Sequence, residues 1–322
     1  MVRQIYKFDN IKVLCMILVV IAHTLINSYG NTGMEMIRFL CLCYTMPMFA
    51  FVSGYFSKPN LSFRKNIITL LVPCVLFTLI NNLIQLLVNP HYVFTLLMPG
   101  FAMWYLWALF VYRVSLPYII RIPYIVILSF VITWIVGFVP QIANVFSLSR
   151  IICFLPYFLL GYKIANSQQS SLLNIRNRIL TTFNNRGGYF LGLIVIFAIW
   201  LIFIYLCPGH TYATGFASGY SSVYSLFIRI ALQITILLTG FFIICIFPNK
   251  ELWFTHYGKR TLNVYLLHGI IVLPLAFQIF PPFSDADWYI RIIMILLPTV
   301  LCLFFFSKRV DLIMKKILGI FK

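Results

Sequence analysis

Long apolar runs, separated by short polar or basic stretches, recur along the whole 322-residue chain. From Leu14 to Ala22 every side chain is apolar, and a histidine, His23, then follows. Such runs match the roughly 20 residues that a helix needs to cross a bilayer. Hydropathy predicts ten helices, at approximately 11–29, 36–56, 66–88, 102–120, 122–139, 149–165, 189–207, 227–247, 261–280 and 288–306. The expected fold is therefore an all-α polytopic membrane protein, one membrane-embedded domain over 1–322. The N-terminus resembles a signal peptide, but no small-x-small cleavage pattern follows the run, so it is expected to stay as the first helix. The segment at 166–188, rich in Asn, Ser and Arg, is expected to be a flexible connector. The one at 207–225, dense in Gly, Ser and Tyr, is expected to form a mobile outer loop with aromatic platforms.

Composition sharpens the class. Hydrophobic residues make up 62% of the chain, charged ones only 9%, and the mean hydropathy is +0.98. A formal charge of +18 would suggest nucleic acid if it lay on one soluble face. Here the cations fall at helix ends, and no nucleic-acid partner is expected. Twenty of the 24 Lys and Arg sort to alternate sides of the ten predicted helices, which places both termini in the cytoplasm and the protein in the cell membrane. The eight cysteines form no C-x-x-C pair and lie in apolar runs, as small core hydrophobes do. No cluster of metal ligands is evident.

Four arginines break the charge rule. Arg38, Arg150, Arg229 and Arg291 each stand just inside the outward start of an even-numbered predicted helix, with Glu35 beside the first and Asp285 and Asp287 beside the last. Snorkelling to headgroups accounts for any one of them; four together suggest an outer vestibule for a polar or anionic acceptor. On the first helix, eleven residues bring Lys12 back to nearly the azimuth of His23, about 16 Å further along, with Asp9 about 40° away. An ionisable group inside a span is a functional candidate. His23, with Asp9 and Lys12, is the expected catalytic set, the imidazole serving as general base. No Gly-x-Ser-x-Gly elbow occurs, so direct attack by an acceptor hydroxyl on a thioester is the economical route. Ser53 and Gly54, with Lys58, Arg64, Lys65 and Lys12, are candidates for holding the phosphates of an acyl donor; ordinary positive-inside charge is the competing reading. Trp104 and the second intramembrane histidine, His268, join the acceptor candidates, an ordinary structural histidine being as reasonable for the latter.

Several segments together resemble the acyltransferase-3 membrane proteins, in particular their fucose 4-O-acetylase-like branch. They are Asp9–Asn10–Ile11–Lys12 leading to His23; Pro47 through Ser53–Gly54–Tyr55; Arg64–Lys65; Trp104–Tyr105–Leu106; and Tyr265–Leu266–Leu267–His268. The resemblance implies about ten helices, a cytoplasmic acyl-CoA donor, O-acylation of carbohydrate on the far side, and an essential first-helix histidine. Lys12 departs from it, because the broad family carries arginine there and lysine loses the bidentate fork. The basic pair at 64–65 is also thinner than the arginine cluster of many members. The expected activity is O-acyl transfer, with acetyl-CoA as co-substrate and no metal. The acceptor is a surface glycan or its lipid-linked precursor, with membrane lipid and other glycan-assembly proteins as candidate partners. A polysaccharide exporter or flippase without chemistry is the alternative.

Overall fold

The computed structural model describes residues 5–27, 32–60, 62–88, 94, 103–144, 146–180, 186–206, 219–221, 224–274, 279–281 and 285–319. Helix α1 spans Tyr6–Thr24, α2 Thr32–Tyr55, α3 Phe63–Asn66, α4 Val72–Val88, α5 Trp104–Ile119 and α6 Ile125–Val136. They are followed by α7 at Leu148–Asn166, α8 at Ser170–Leu180, α9 at Arg186–Leu206 and α10 at Leu226–Ile246. The last three are α11 at Thr261–Pro274, α12 at Trp288–Phe305 and α13 at Lys308–Gly319. No strand occurs among the described residues. A π-helical stretch, Ile67–Leu71, joins α3 to α4. Pro73 has no N–H to give the Thr69 carbonyl, so the i→i−4 ladder is reset there.

Six helical segments are long and apolar enough to cross a membrane: Gly33–Tyr55, Phe63–Leu87, Leu148–Asn166, Gly188–Leu206, Leu226–Ile246 and Trp288–Phe305. Ile125–Val136 and Thr261–Val272 are shorter apolar helices. Each predicted span has a helix at its place, but the boundaries move. The first helix begins five residues early, at Tyr6, and gives way at Leu25–Asn27 to a 3₁₀ turn. Its polar first turns are helical because Lys7, Asp9 and Asn10 are buried against protein.

The connector expected at 166–188 contains a helix, α8. Its apolar Leu172 packs against the cluster built on Phe8, Phe51 and Ile164, so tertiary burial orders a segment whose polar composition reads as a linker. The loop at 207–225 lies largely outside the described residues; of it, Tyr220 and Tyr224 are described and pack on α6 and α10.

The centre of the bundle is the crossing of α2 and α7. Gly54 lies against the backbone of Phe158, and Gly161 against the backbone of Phe51, with no room for a Cβ at either position. Paired glycines let two membrane helices approach at backbone distance, where close packing is the main source of association energy in lipid. Helix α1 runs alongside α2, its Phe8 ring 4.8 Å from that of Tyr55. At the same end, Asn10 fastens the segment that follows α10. Its Nδ2 donates to the Pro248 and Lys250 carbonyls (3.3 and 3.2 Å), and its Oδ1 accepts from Thr255 Oγ1 at 2.5 Å.

Candidate active site

Two histidines meet inside the bundle. His23, one residue before the end of α1, stacks on His268 of α11 with ring centroids 5.4 Å apart and planes inclined by 21°. His268 has no solvent exposure, and its Nδ1 lies 3.1 Å from the Val264 carbonyl one turn earlier. A carbonyl only accepts, so Nδ1 carries the hydrogen and the neutral ring presents its lone pair at Nε2. That Nε2 is buried and has no hydrogen-bond partner among the described residues. A buried acceptor left open costs about 1–3 kcal/mol unless a ligand or water fills it. Nε2 is therefore a place where a hydroxyl donor fits.

Cationic groups surround the pair. The guanidinium groups of Arg38 (α2) and Arg150 (α7) lie close enough to act on the His23 ring electrostatically. Arg38 Nε is buried without a hydrogen-bond partner among the described residues. Arg150 stacks over Trp104, with Cζ 5.5 Å from the ring centroid, which fixes a planar cation at the rim of the site. From His268 a line of aromatic rings continues through α11 and α5 to α2. The Tyr265 ring lies 5.6 Å from His268 and 6.1 Å from Tyr105, and the Tyr105 hydroxyl is 3.0 Å from Ser53 Oγ. One column through the bundle thus joins four sequence candidates, His23, His268, Ser53 and Trp104, to the two arginines.

Two members of that column, Tyr105 and Tyr265, lay in the motif segments but were not singled out, because a tyrosine in an apolar run reads as core. Arg113, six residues before the end of α5, has its Nε buried and stands near enough to act on Tyr105. Asn10 was likewise missed; nothing in its local pattern shows that it clasps a segment some 240 residues away.

At the other end of α1, Lys12 Nζ pairs with Asp9 Oδ1 at 2.8 Å. Gly258 closes over Asp9, whose Cβ would lie 2.6 Å from a Cβ added there. Because α1 is one unbroken helix, this ion pair and His23 stay on one stripe, separated by about 16 Å from Lys12 to His23. Lys58, Arg64 and Lys65 are solvent-exposed around the turn from α2 to α3, available to a soluble anion.

The remaining candidates have other surroundings. Gly54 is the helix-packing glycine of the α2–α7 crossing, and the Phe158 backbone occupies the space beside it. Arg229 of α10 is fully buried against α6 and the Tyr220 and Tyr224 side chains. Its Nη1 donates to the Thr133 carbonyl at 2.5 Å and its Nε to Tyr224 Oη at 3.3 Å, and it stacks on Tyr220 at 4.6 Å. Gln233 completes that network through Thr133 Oγ1 and Trp134 Nε1, both at 2.7 Å. Arg291 turns back to the Ala286 carbonyl, 2.8 Å away, at the start of α12. Glu35 is buried one turn before Arg38. The four arginines therefore divide: Arg38 and Arg150 converge on His23, whereas Arg229 and Arg291 satisfy the protein itself.

No group of three or more metal-ligating side chains occurs among the described residues. A stacked imidazole pair, one ring fully buried and the other half-buried, flanked by guanidinium groups, suits deprotonation of a hydroxyl and stabilisation of the negative charge that develops when it attacks a carbonyl. No curated protein and no solved structure was found to match the chain. The acyltransferase-3 family model, described as an acyltransferase domain, matches residues 5–307, nearly the whole length. With that match and its apolar helices, the chain belongs to the acyltransferase-3 family and is a multi-pass membrane acyltransferase.

Proposed function

We propose that the protein is an O-acetyltransferase of the cell membrane, which takes acetyl groups from cytoplasmic acetyl-CoA and delivers them to a hydroxyl of a cell-surface glycan or its lipid-linked precursor. The observation that carries this reading is the stacked His23–His268 pair with Arg38 and Arg150 beside it. In this reading both termini are cytoplasmic, and the fucose 4-O-acetylase-like branch is the nearest description of the chemistry. The exposed cations Lys58, Arg64 and Lys65 suit a phosphate-rich donor. Asp9 holds the Lys12 ammonium at the same end, where it meets the donor's charged portion.

The chain's own residues then have distinct tasks. His268 Nε2 accepts from a neighbouring hydroxyl of the acceptor and so orients the hydroxyl that reacts. His23 takes the hydroxyl proton as the oxygen attacks the thioester carbonyl. Arg38 and Arg150 stabilise the oxyanion, and Trp104 fixes Arg150. The proton and the thiolate leaving group recombine on the donor side. The hydroxyl oxygen gains the acyl carbon and loses its proton, and no oxidant or metal enters.

Sealed inside-out membrane vesicles supplied with acetyl-labelled acetyl-CoA test the proposal. Label is expected to reach envelope glycan or lipid-linked saccharide on the lumenal side. Export of unmodified glycan with no label transferred would favour the exporter reading instead.

A further inference from the structure

A second site lies on the opposite side of α2 from the column. A cavity of about 230 Å³ runs between α2, α7 and α10, with Ile175 of α8 also in its lining. Tyr44, Pro47, Met48 and Phe51 form its α2 wall, at the i, i+3, i+4, i+7 spacing of one helix face. At 100° per residue, Ser53, which bonds Tyr105 in the column, lies about 180° around α2 from the middle of that stripe. The cavity is therefore separate from the histidine pair, and the reaction as proposed does not use it.

The cavity's shape and lining identify its occupant. Tyr157, Leu160 and Ile164 line it from α7, and Ile236, Leu237, Gly240, Phe241 and Ile244 from α10. Among the described lining residues the only polar side chains are the two tyrosines, so water and polar ligands have almost nothing to bond. The eight helical steps of α10 from Ile236 to Ile244 give it a length of about 12 Å along the helix axes. It also opens sideways. Phe241 and Ile175 are 38% and 40% exposed, and Phe241 continues into the exposed apolar surface of α10 formed by Ile234 and Leu238. That surface belongs to a membrane-crossing helix, so the medium at the mouth is hydrocarbon.

We infer that this cavity binds one acyl chain of a bilayer phospholipid, which enters from the lipid between α8 and α10. Pro47 gives the site its consequence. It leaves the Cys43 carbonyl without its i+4 donor in mid-helix. A chain packed against Pro47 rests where α2 lacks a backbone hydrogen bond, and α2 carries Arg38 and Ser53 on its other face.

Photocrosslinking on the full-length protein tests the inference, using a phosphatidylglycerol whose acyl chain bears a diazirine. Label is expected in peptides covering 44–51 and 236–244, and excess unlabelled phospholipid should compete it away. Gly240→Leu is the blocking variant. A Cβ at Gly240 meets only Met48 Cε, at 3.5 Å, an ordinary contact, so the larger side chain grows into the cavity. It should reduce labelling at least tenfold with helical content and elution unchanged. Labelling spread evenly over lipid-facing peptides would overturn the site, as would full labelling of a folded Gly240→Leu protein. If polyprenyl phosphate competes and phospholipid does not, the assigned occupant is wrong. The competition and mapping arms use the native sequence, so they decide the matter even where Gly240→Leu does not fold, and none of the readouts depends on acyl transfer.

Discussion

His268 is held by a backbone carbonyl at one nitrogen and open at the other, and this asymmetry makes a specific prediction for substitution. Asparagine or glutamine offers an amide that can satisfy the Val264 carbonyl, but neither restores an aromatic partner for His23. His268→Gln should therefore leave the protein inserted while lowering kcat and raising the acceptor requirement, with the acetyl-CoA requirement nearly unchanged; initial rates over both substrates separate these. Equal loss for both substrates would point to general disruption of the site. Arg229 should behave differently from Arg38 and Arg150, although all three occupy similar positions in sequence. Its donors already serve Thr133 and Tyr224, so Arg229→Ala leaves a buried carbonyl and hydroxyl without a donor. A loss of about 1–3 kcal/mol for each group left open is expected, read as a lower unfolding temperature in detergent. Arg38→Ala and Arg150→Ala should instead lower the transfer rate at nearly wild-type stability. The candidacy of His23 was legible in the sequence because a titratable group after nine apolar residues stands out. The division among the arginines was not, since it depends on which distant helix supplies the partner.

Among the elements, α1 was readable as a span with a polar inner end, yet its reason for being helical from Tyr6 lies elsewhere in the chain. Asn10 meets three groups of the 248–255 segment, contacts that no local pattern announces. Asn10→Ala should cost about 1–3 kcal/mol and raise hydrogen exchange in 248–259 before any other segment. Helix α8 was missed for a related reason: its apolar residues are few, and only docking beneath α7 and α10 makes them a core face. Helix α13 shows the same dependence at the chain's end. Lys315 donates to Asp311 at 2.7 Å and Asn263 of α11 donates at 3.0 Å, and the Lys315 hydrogen bond foremost holds the Asp311 carboxyl below its ordinary range. A carboxyl depressed in the folded state lends stability above its unfolded value and withdraws it as the pH falls. The docking of α13 should accordingly weaken in acid, though only slightly, because the pair is largely exposed.

Over the whole molecule, the cations differ in setting: exposed ones lie around the α2–α3 turn, and the half-buried Arg38 and Arg150 lie beside the histidines. Removing Arg64 and Lys65 together should raise the acetyl-CoA requirement several-fold and spare the acceptor, and high salt should mimic part of that effect on the native protein. Fold class was legible because ten apolar runs leave few alternatives. The number of helices that are long and apolar enough to cross was not, since short helices such as α6 are completed by their neighbours rather than by their own length. The meeting of α1, α2, α5, α7 and α11 at one column is a property of packing, and no single segment encodes it. The account's central claim is that His23 performs the transfer chemistry within that column. Its most direct test is the initial rate of acetyl transfer by His23→Ala and His23→Gln, measured in membranes matched for protein abundance. The account predicts a fall of roughly two to four orders of magnitude in both variants with acetyl-CoA binding retained; near-normal transfer by a well-inserted His23→Ala protein would contradict it.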